Sequence, residues 1–153
     1  MRFIVMTALL ASAVAIPALA DDATPPAAAP AAAPDATAQD AAAGGDAAAG
    51  EKTFVVCRAC HQIGPNAKIA IGPVLNGVVG RPAGSYPGYN YSVANKTSGI
   101  VWTPDVLVKY LANPQAVVPH TKMAFAGLKD PQKVKDVIAF LETYGPDGQK
   151  KTE

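Results

Sequence analysis

Five consecutive residues, Cys57-Arg58-Ala59-Cys60-His61, are the part of this chain whose types and spacing point most directly to chemistry. Two thiols three residues apart can each add to one of the two vinyl groups of a single porphyrin. The His that follows is placed under the ring, where its imidazole can ligate iron. This is the pattern of covalent c-type haem attachment. Two other chemistries use a similar pair. A redox disulfide of the thioredoxin kind expects a βαβ neighbourhood, and no such pattern surrounds these residues. Zinc would need every Cys and His in the chain, Cys57, Cys60, His61 and His120, two of them adjacent. The expected cofactor is therefore haem c, covalent, one per chain.

Low-spin haem iron takes a second axial ligand. Met1 and Met6 lie in an N-terminal segment whose removal, argued below, leaves Met123 as the only methionine. A lone Met usually fills core. Met123 instead sits in a loop bounded by Pro119 and Gly127, off any helical stripe, and is the expected ligand opposite His61. His120 competes from three residues away, and a His-ligated ferric state stays open.

Three helices must position these groups. The first starts near Asp46, a plausible N-cap, and runs to the Cys-x-x-Cys-His loop. Gly50 inside it costs about 1 kcal/mol relative to Ala, so close approach of another helix is expected there, with Phe54 on the same face. The last helix is capped by Asp130 and has Pro131 at its first position. Val134, Val137, Ile138 and Leu141 form its apolar stripe, extended by Tyr144 and stopped by Gly145-Pro146. The face of Gly50 and Phe54 is expected against that of Leu141 and Tyr144, closing the chain's two ends on each other. A shorter middle helix opens at Thr103-Pro104-Asp105, lines one side with Leu107, Tyr110 and Leu111, and ends before Pro114. Residues 64–98 are rich in Gly, Pro, Asn and Tyr without a sustained period, and are expected as loops wrapped around something rigid, not strands.

The N-terminal third has another character. Residues 1–20 carry one cation, Arg2, then an apolar stretch ending Ala18-Leu19-Ala20, a secretory signal with a signal-peptidase site. The alternative is an uncleaved membrane anchor, since the apolar run approaches spanning length. Export agrees with c-haem attachment, which in bacteria occurs outside the cytoplasmic membrane, so the expected compartment is the periplasm. Residues 21–45 are Ala, Pro, Asp, Gly, Thr and Gln, a composition too poor in large apolar groups to fold, and are expected as a disordered tether. The folded domain is then 46–153. The net charge of +1 hides an asymmetry: residues 21–49 hold five Asp and no cation, whereas residues 50–153 hold twelve Lys and Arg against seven Asp and Glu. A basic domain suits an acidic protein partner met by diffusion; nucleic acid is not expected for an exported haem protein.

From Gly50 to Gly145 the chain resembles the small class I cytochromes c of bacteria and mitochondria. The resemblance rests on Cys57-x-x-Cys60-His61, Ile71-Gly72-Pro73-Val74-Leu75, Gly80-Arg81, Tyr91-Ser92-x-Ala94-Asn95-Lys96, Trp102, and Thr121-Lys122-Met123-x-Phe125-x-Gly127, all in order. It implies an all-α class I cytochrome c fold, with N- and C-terminal helices packed together and loops wrapped around one covalent haem. It also implies residue roles. The carbonyl of Pro73 would accept the second ring N–H of His61. Arg81, Tyr91 and Trp102 would hold a propionate, Asn95 and Thr121 would join a polar network, Tyr110 would donate toward the Met123 sulfur, and Phe125 would shield the exposed haem edge. Two positions depart from the family: Val56 stands where many relatives carry a docking Lys, and His120 replaces a small residue.

The function so implied is a monomeric electron carrier with both axial ligands kept bound, not an enzyme, with no small-molecule substrate. It would dock weakly through the haem edge among Lys68, Lys122, Lys129 and Lys133. Partners would be redox proteins: quinol-cytochrome c reductase, an oxidase, a dehydrogenase, a peroxidase or a photosynthetic reaction centre. Two rivals remain, a membrane-tethered carrier that keeps residues 1–20, and a gas sensor or haem enzyme with a labile Met123.

Overall fold

The computed structural model describes residues 44–152. The signal and all but the last two residues of the expected tether lie outside this range. Asp46 opens the first helix, α1 (Ala47–Thr53), by accepting from the N–H groups of Ala48 and Ala49, two donors that a helix start leaves unpaired. The helix tightens into a 3-10 turn, Phe54–Val56, that delivers the chain to Cys57.

The last helix, α5 (Pro131–Glu142), is capped in the same way by Asp130 and buries the expected stripe of Val134, Val137, Ile138 and Leu141. It also buries Asp136 and Phe140. The most extensive helix contact in the domain is α1 on α5. A Cβ on Gly50 would run into the carbonyl of Asp136 and come within 2.9 Å of Phe140 Cβ, so only Gly lets the two backbones approach this closely. The contact is thus centred on Asp136 and Phe140, one turn earlier than the expected Leu141 and Tyr144. Phe140 is the hub: its ring centroid lies 5.1 Å from that of Phe54 and 5.6 Å from that of Tyr144. The Asp136 carboxylate is buried because it is satisfied, accepting at 2.9 Å from both the Asp46 N–H and Gln132 Nε2. Gln132 Nε2 also donates to the carbonyl of Gly44 at 2.9 Å.

Between these ends, α3 (Pro104–Ala112) is capped by Thr103 and buries Leu107, Tyr110 and Leu111. A further turn, α4 (Pro114–Val117), follows under an Asn113 cap. Residues 64–98 are loops with one correction: Val93–Thr97 form a short helix, α2. Its start is local, with Ser92 Oγ accepting from the Asn95 N–H, and five residues are too few to impose a hydrophobic period. Among the described residues there is no strand, only isolated bridges of Pro82 with Val101 and Tyr144 with Lys150. No helix among them is long and apolar enough to cross a membrane.

Candidate haem site

The twelve residues expected to bind the haem line one cavity of about 340 Å³: Cys57, Cys60, His61, Pro73, Arg81, Tyr91, Asn95, Trp102, Tyr110, Thr121, Met123 and Phe125; the competing His120 does not line it. Its walls come from every part of the domain. The turn after α1 and the loop it leads into supply Phe54, Val56, Cys57 and Cys60, α2 supplies Asn95, α3 supplies Leu107, Tyr110 and Leu111, α5 supplies Val137 and Leu141, and the loops supply the rest. A more open hollow of about 400 Å³ lies beside Arg58, His61, Gln62 and Tyr144, but it contains neither cysteine nor Met123.

His61 is fixed in a single tautomer. Its Nδ1 lies 2.8 Å from the carbonyl oxygen of Pro73. A carbonyl can only accept, so Nδ1 carries the proton and Nε2 keeps a free lone pair. Burial lowers the imidazole pKa, opposed by the Pro73 bond, so the neutral, metal-binding form is favoured. Gly72 makes room for this ring: a Cβ there would fall within 2.7 Å of Nδ1 and 2.9 Å of Nε2. The motif around Pro73 contains Gly72 but does not by itself disclose this role; adjacency to Pro73 is the signal that could have found it. The thiol of Cys57 is pushed up to about 11 by burial and by Cys60. Both thiols are free. His120 is exposed, and among the described residues no three His, Cys, Asp or Glu side chains gather to hold a metal, so the four-ligand zinc arrangement does not form there.

Elsewhere in the lining Thr121 links two neighbours. Its Oγ1 accepts the Met123 N–H at 3.3 Å and pairs with the Tyr110 hydroxyl at 3.4 Å. The Tyr110 hydroxyl therefore meets Thr121, where the Met123 sulfur was expected. Burial raises the Tyr110 pKa, against the Thr121 bond that lowers it. The Tyr110 ring stacks on Trp102 with centroids 4.5 Å apart.

Arg81 is held by backbone, with Nη1 donating to Asn76 O at 2.9 Å and Nη2 to Val74 O at 3.1 Å. Its guanidinium lies over the Tyr86 ring, 5.1 Å from the centroid. Tyr89, which sequence reasoning misses, also lines the cavity and donates its hydroxyl to Ile71 O at 2.9 Å. The clustering of Tyr86, Tyr89 and Tyr91 is the signal that could have found it. The lining fits a haem on two grounds besides its apolar character. Asn95 Oδ1 is buried in this wall without a hydrogen-bond partner among the described residues; turned end for end, the same amide would present its Nδ2 donor there, which a carboxylate of the cofactor could accept. The imidazole nitrogen that the Pro73 bond leaves free on His61 belongs to the residue that follows two free thiols.

A profile of the cytochrome c family matches residues 47–145. The chain is similar to cytochrome c2 of Blastochloris viridis, 54% identical over 101 residues, covering 66% of this chain and 80% of that protein. Cytochrome c2 of Rhodomicrobium vannielii is 60% identical over 93 residues, covering 61% and 74%. Among solved structures, cytochrome cH from Methylobacterium extorquens aligns with a TM-score of 0.62 at 51% identity, covering 65% of this chain and 99% of that one. Cytochrome c2 from Rhodospirillum centenum aligns at 0.63 and 41%, covering 67% and 100%. The all-α fold closed by its two end helices is thus the class I cytochrome c fold, and the chain belongs to the cytochrome c family, with covalent haem c as its cofactor.

Proposed function

We propose that this protein is a periplasmic electron carrier whose single haem iron is held by His61 Nε2 and the Met123 sulfur. The observation that carries this reading is the fixed tautomer of His61 in a cavity that is also lined by Met123, the only methionine outside the N-terminal segment. Haem c, when bound, supplies a one-electron ferrous–ferric couple, which a His/Met pair poises at high potential.

The chain's own residues do the rest. Cys57 and Cys60 anchor the porphyrin edge as thioethers. The Pro73 carbonyl orients His61 and strengthens it as a donor. Arg81, Tyr91 and Trp102 meet a propionate, and Asn95 and Thr121 complete the polar side; Thr121 also fixes the backbone N–H of Met123. Leu107, Leu111, Val137 and Leu141 exclude water, and Phe125 shields the edge. With His61 and Met123 both holding the iron, no coordination position would be left for a substrate, and the protein would act as a carrier rather than an enzyme.

In this reading residues 1–20 are a cleaved signal, 21–45 a tether and 46–153 the redox domain. A monomer docks transiently on a redox protein through a basic face that includes Lys68, Lys122, Lys129 and Lys133. Lys122 and Lys129 donate to the carbonyls of Asn90 and Ala126 at 2.8 and 2.9 Å, so part of that face is fixed in place. The Asp-rich tether competes for it. Deleting residues 21–45 should raise partner affinity at low salt; an unchanged salt dependence would remove that idea.

Optical spectra of the periplasmically matured protein, oxidised and reduced, with and without carbon monoxide, test the core of the reading. A low-spin c-type spectrum, a Met-to-iron band when oxidised and no response to carbon monoxide are expected. Met123→Ala should lose the band and bind carbon monoxide. A wild-type protein that is high-spin or binds the gas would replace the carrier with a sensor or enzyme. Fractionation and the mature N-terminus separate a free carrier from one that keeps residues 1–20 as an anchor.

A further inference from the structure

Past α5 the chain folds back on the domain. Gly145 N–H donates to Gln149 O at 2.9 Å, Gly148 N–H to Gly145 O at 3.0 Å, and Lys151 N–H to Thr143 O at 2.8 Å. Residues 146–151 of this turn lie beyond the 47–145 family match, and none of them lines the cavity. The turn rests on the back of the segment that carries His61. Gly148, at φ +79°, sits so close that a Cβ would run into Gly64 O and reach within 2.5 Å of Asn76 Nδ2. A Cβ on Gly77 would likewise come within 2.8 Å of Pro146 N.

The residue beneath the turn, Asn76, is only 8% exposed and grips Gly64 with both ends of its amide. It accepts the Gly64 N–H at 2.8 Å and donates to Gly64 O at 2.9 Å. One step nearer the cavity, Leu75 N–H donates to Gln62 O at 3.0 Å. At the next step, His61 Nδ1 donates to Pro73 O at 2.8 Å. Residues 61–64 are thereby zipped to 73–76, and the C-terminal turn closes the far end of the zip. The carbonyl of Asn76 also receives Arg81 Nη1, so the same residue anchors the guanidinium on the cavity wall.

We propose that the C-terminal turn is a positioning element for the iron's His ligand, acting through Asn76. The inference rests on His61 being that ligand. An imidazole that donates to a fixed carbonyl is a stronger electron donor and stabilises ferric iron. Loosening the zip lengthens that bond, weakens the donor and favours the ferrous state.

The test uses the full-length holo-protein and three variants: Gly148→Ala, a chain ended at Gly145, and Gly99→Ala. The last is a control, because Gly99 has φ +66° but an added Cβ there would meet nothing within 4 Å. Reduction potential and amide hydrogen exchange are measured on each. In the first two, exchange at Gly64 and Leu75 should speed by about tenfold. Their equilibrium constant for reduction should rise about two- to tenfold, less than the roughly 10–100-fold effects of losing an outer-shell partner outright. Gly99→Ala should change neither quantity. A wild-type protein lacking a low-spin His-ligated spectrum would take down the carrier reading and this inference together. A low-spin wild type whose first two variants keep its potential would make the turn a merely structural brace and overturn this inference alone. If Gly148→Ala does not mature, the truncated chain decides by the same criteria.

Discussion

The helix pair α1–α5 and the loops that wall the cavity are held by different means. The pair is a dry contact, with Gly50 against the Asp136 carbonyl and Phe54, Phe140 and Ile138 each at most 2% exposed. The described loops form no strand, and alongside scattered backbone bonds side chains satisfy several of their carbonyls. His61 serves Pro73, Arg81 serves Val74 and Asn76, Tyr89 serves Ile71, and Lys122 serves Asn90. The helix pair carries its own packing partner in the sequence. The loops pack on a cofactor, and their hydrogen bonds fix geometry around it rather than supply a core.

The largest predicted effect breaks this comparison if it fails. Unfilled cavity volume costs about 24 cal/mol per Å³, so about 340 Å³ without haem is on the order of 8 kcal/mol, the size of a whole domain's stability. Replacing Cys57 and Cys60 together with Ala removes covalent attachment. Haem should then be lost on denaturing extraction, and in the haem-free chain amide protection should vanish across residues 61–128 while some remains along α5 where it meets α1. Protection lost equally from both regions would show that the helix pair does not stand apart from the loops.

Gly50→Ala tests the other side. The substitution gains about 1 kcal/mol of helix propensity. It also places a methyl against the Asp136 carbonyl, a backbone atom that cannot move by changing rotamer. Overpacking of this kind costs about 1–3 kcal/mol, and a rigid neighbour puts it at or above the upper end, for a net loss of about 2 kcal/mol. Denaturant unfolding of the holo-protein should record that loss, with the haem spectrum and potential unchanged. A changed potential would mean that the end helices are coupled to the iron site after all.

The same contrast explains what can be read from sequence. The helix pair is legible because caps and periodicity are local: Asp46, Asp130, Pro131 and the stripe from Val134 to Leu141 each announce themselves. Periodicity places its centre a turn late because Phe140 and Asp136 fall off the apolar stripe, and Asp136 is buried only through hydrogen bonds to Asp46 and Gln132 that no periodicity reveals. In the loops the membership of the cavity wall and the bond from His61 to the Pro73 carbonyl are legible from ordered motifs, while the other hydrogen-bond partners are not. Tyr110 meets Thr121 and Arg81 meets two carbonyls because partner choice depends on where loops cross in space. Helix α2 escapes a sequence reading because its only signal is the Ser92 cap.

The smallest effects probe whether the loops act as separate contacts or as one strap. Residues 86–91 are tied from two sides: Tyr89 Oη donates to Ile71 O at 2.9 Å, and Lys122 Nζ donates to Asn90 O at 2.8 Å. Tyr89→Phe keeps the ring, whose centroid lies 4.7 Å from that of Tyr91, and deletes one exposed hydrogen bond, for a loss of about 1 kcal/mol. Lys122→Met keeps the apolar stem and deletes the other, for about 0.5–1 kcal/mol. Losses that add in the double variant would make the two ties independent. A double variant that loses less than the sum, by at least about 0.5 kcal/mol, would show that releasing either side already frees the segment. The second outcome is expected, because Tyr89 and Asn90 are adjacent in a stretch, residues 85–92, with no helix or bridge to hold one side when the other lets go.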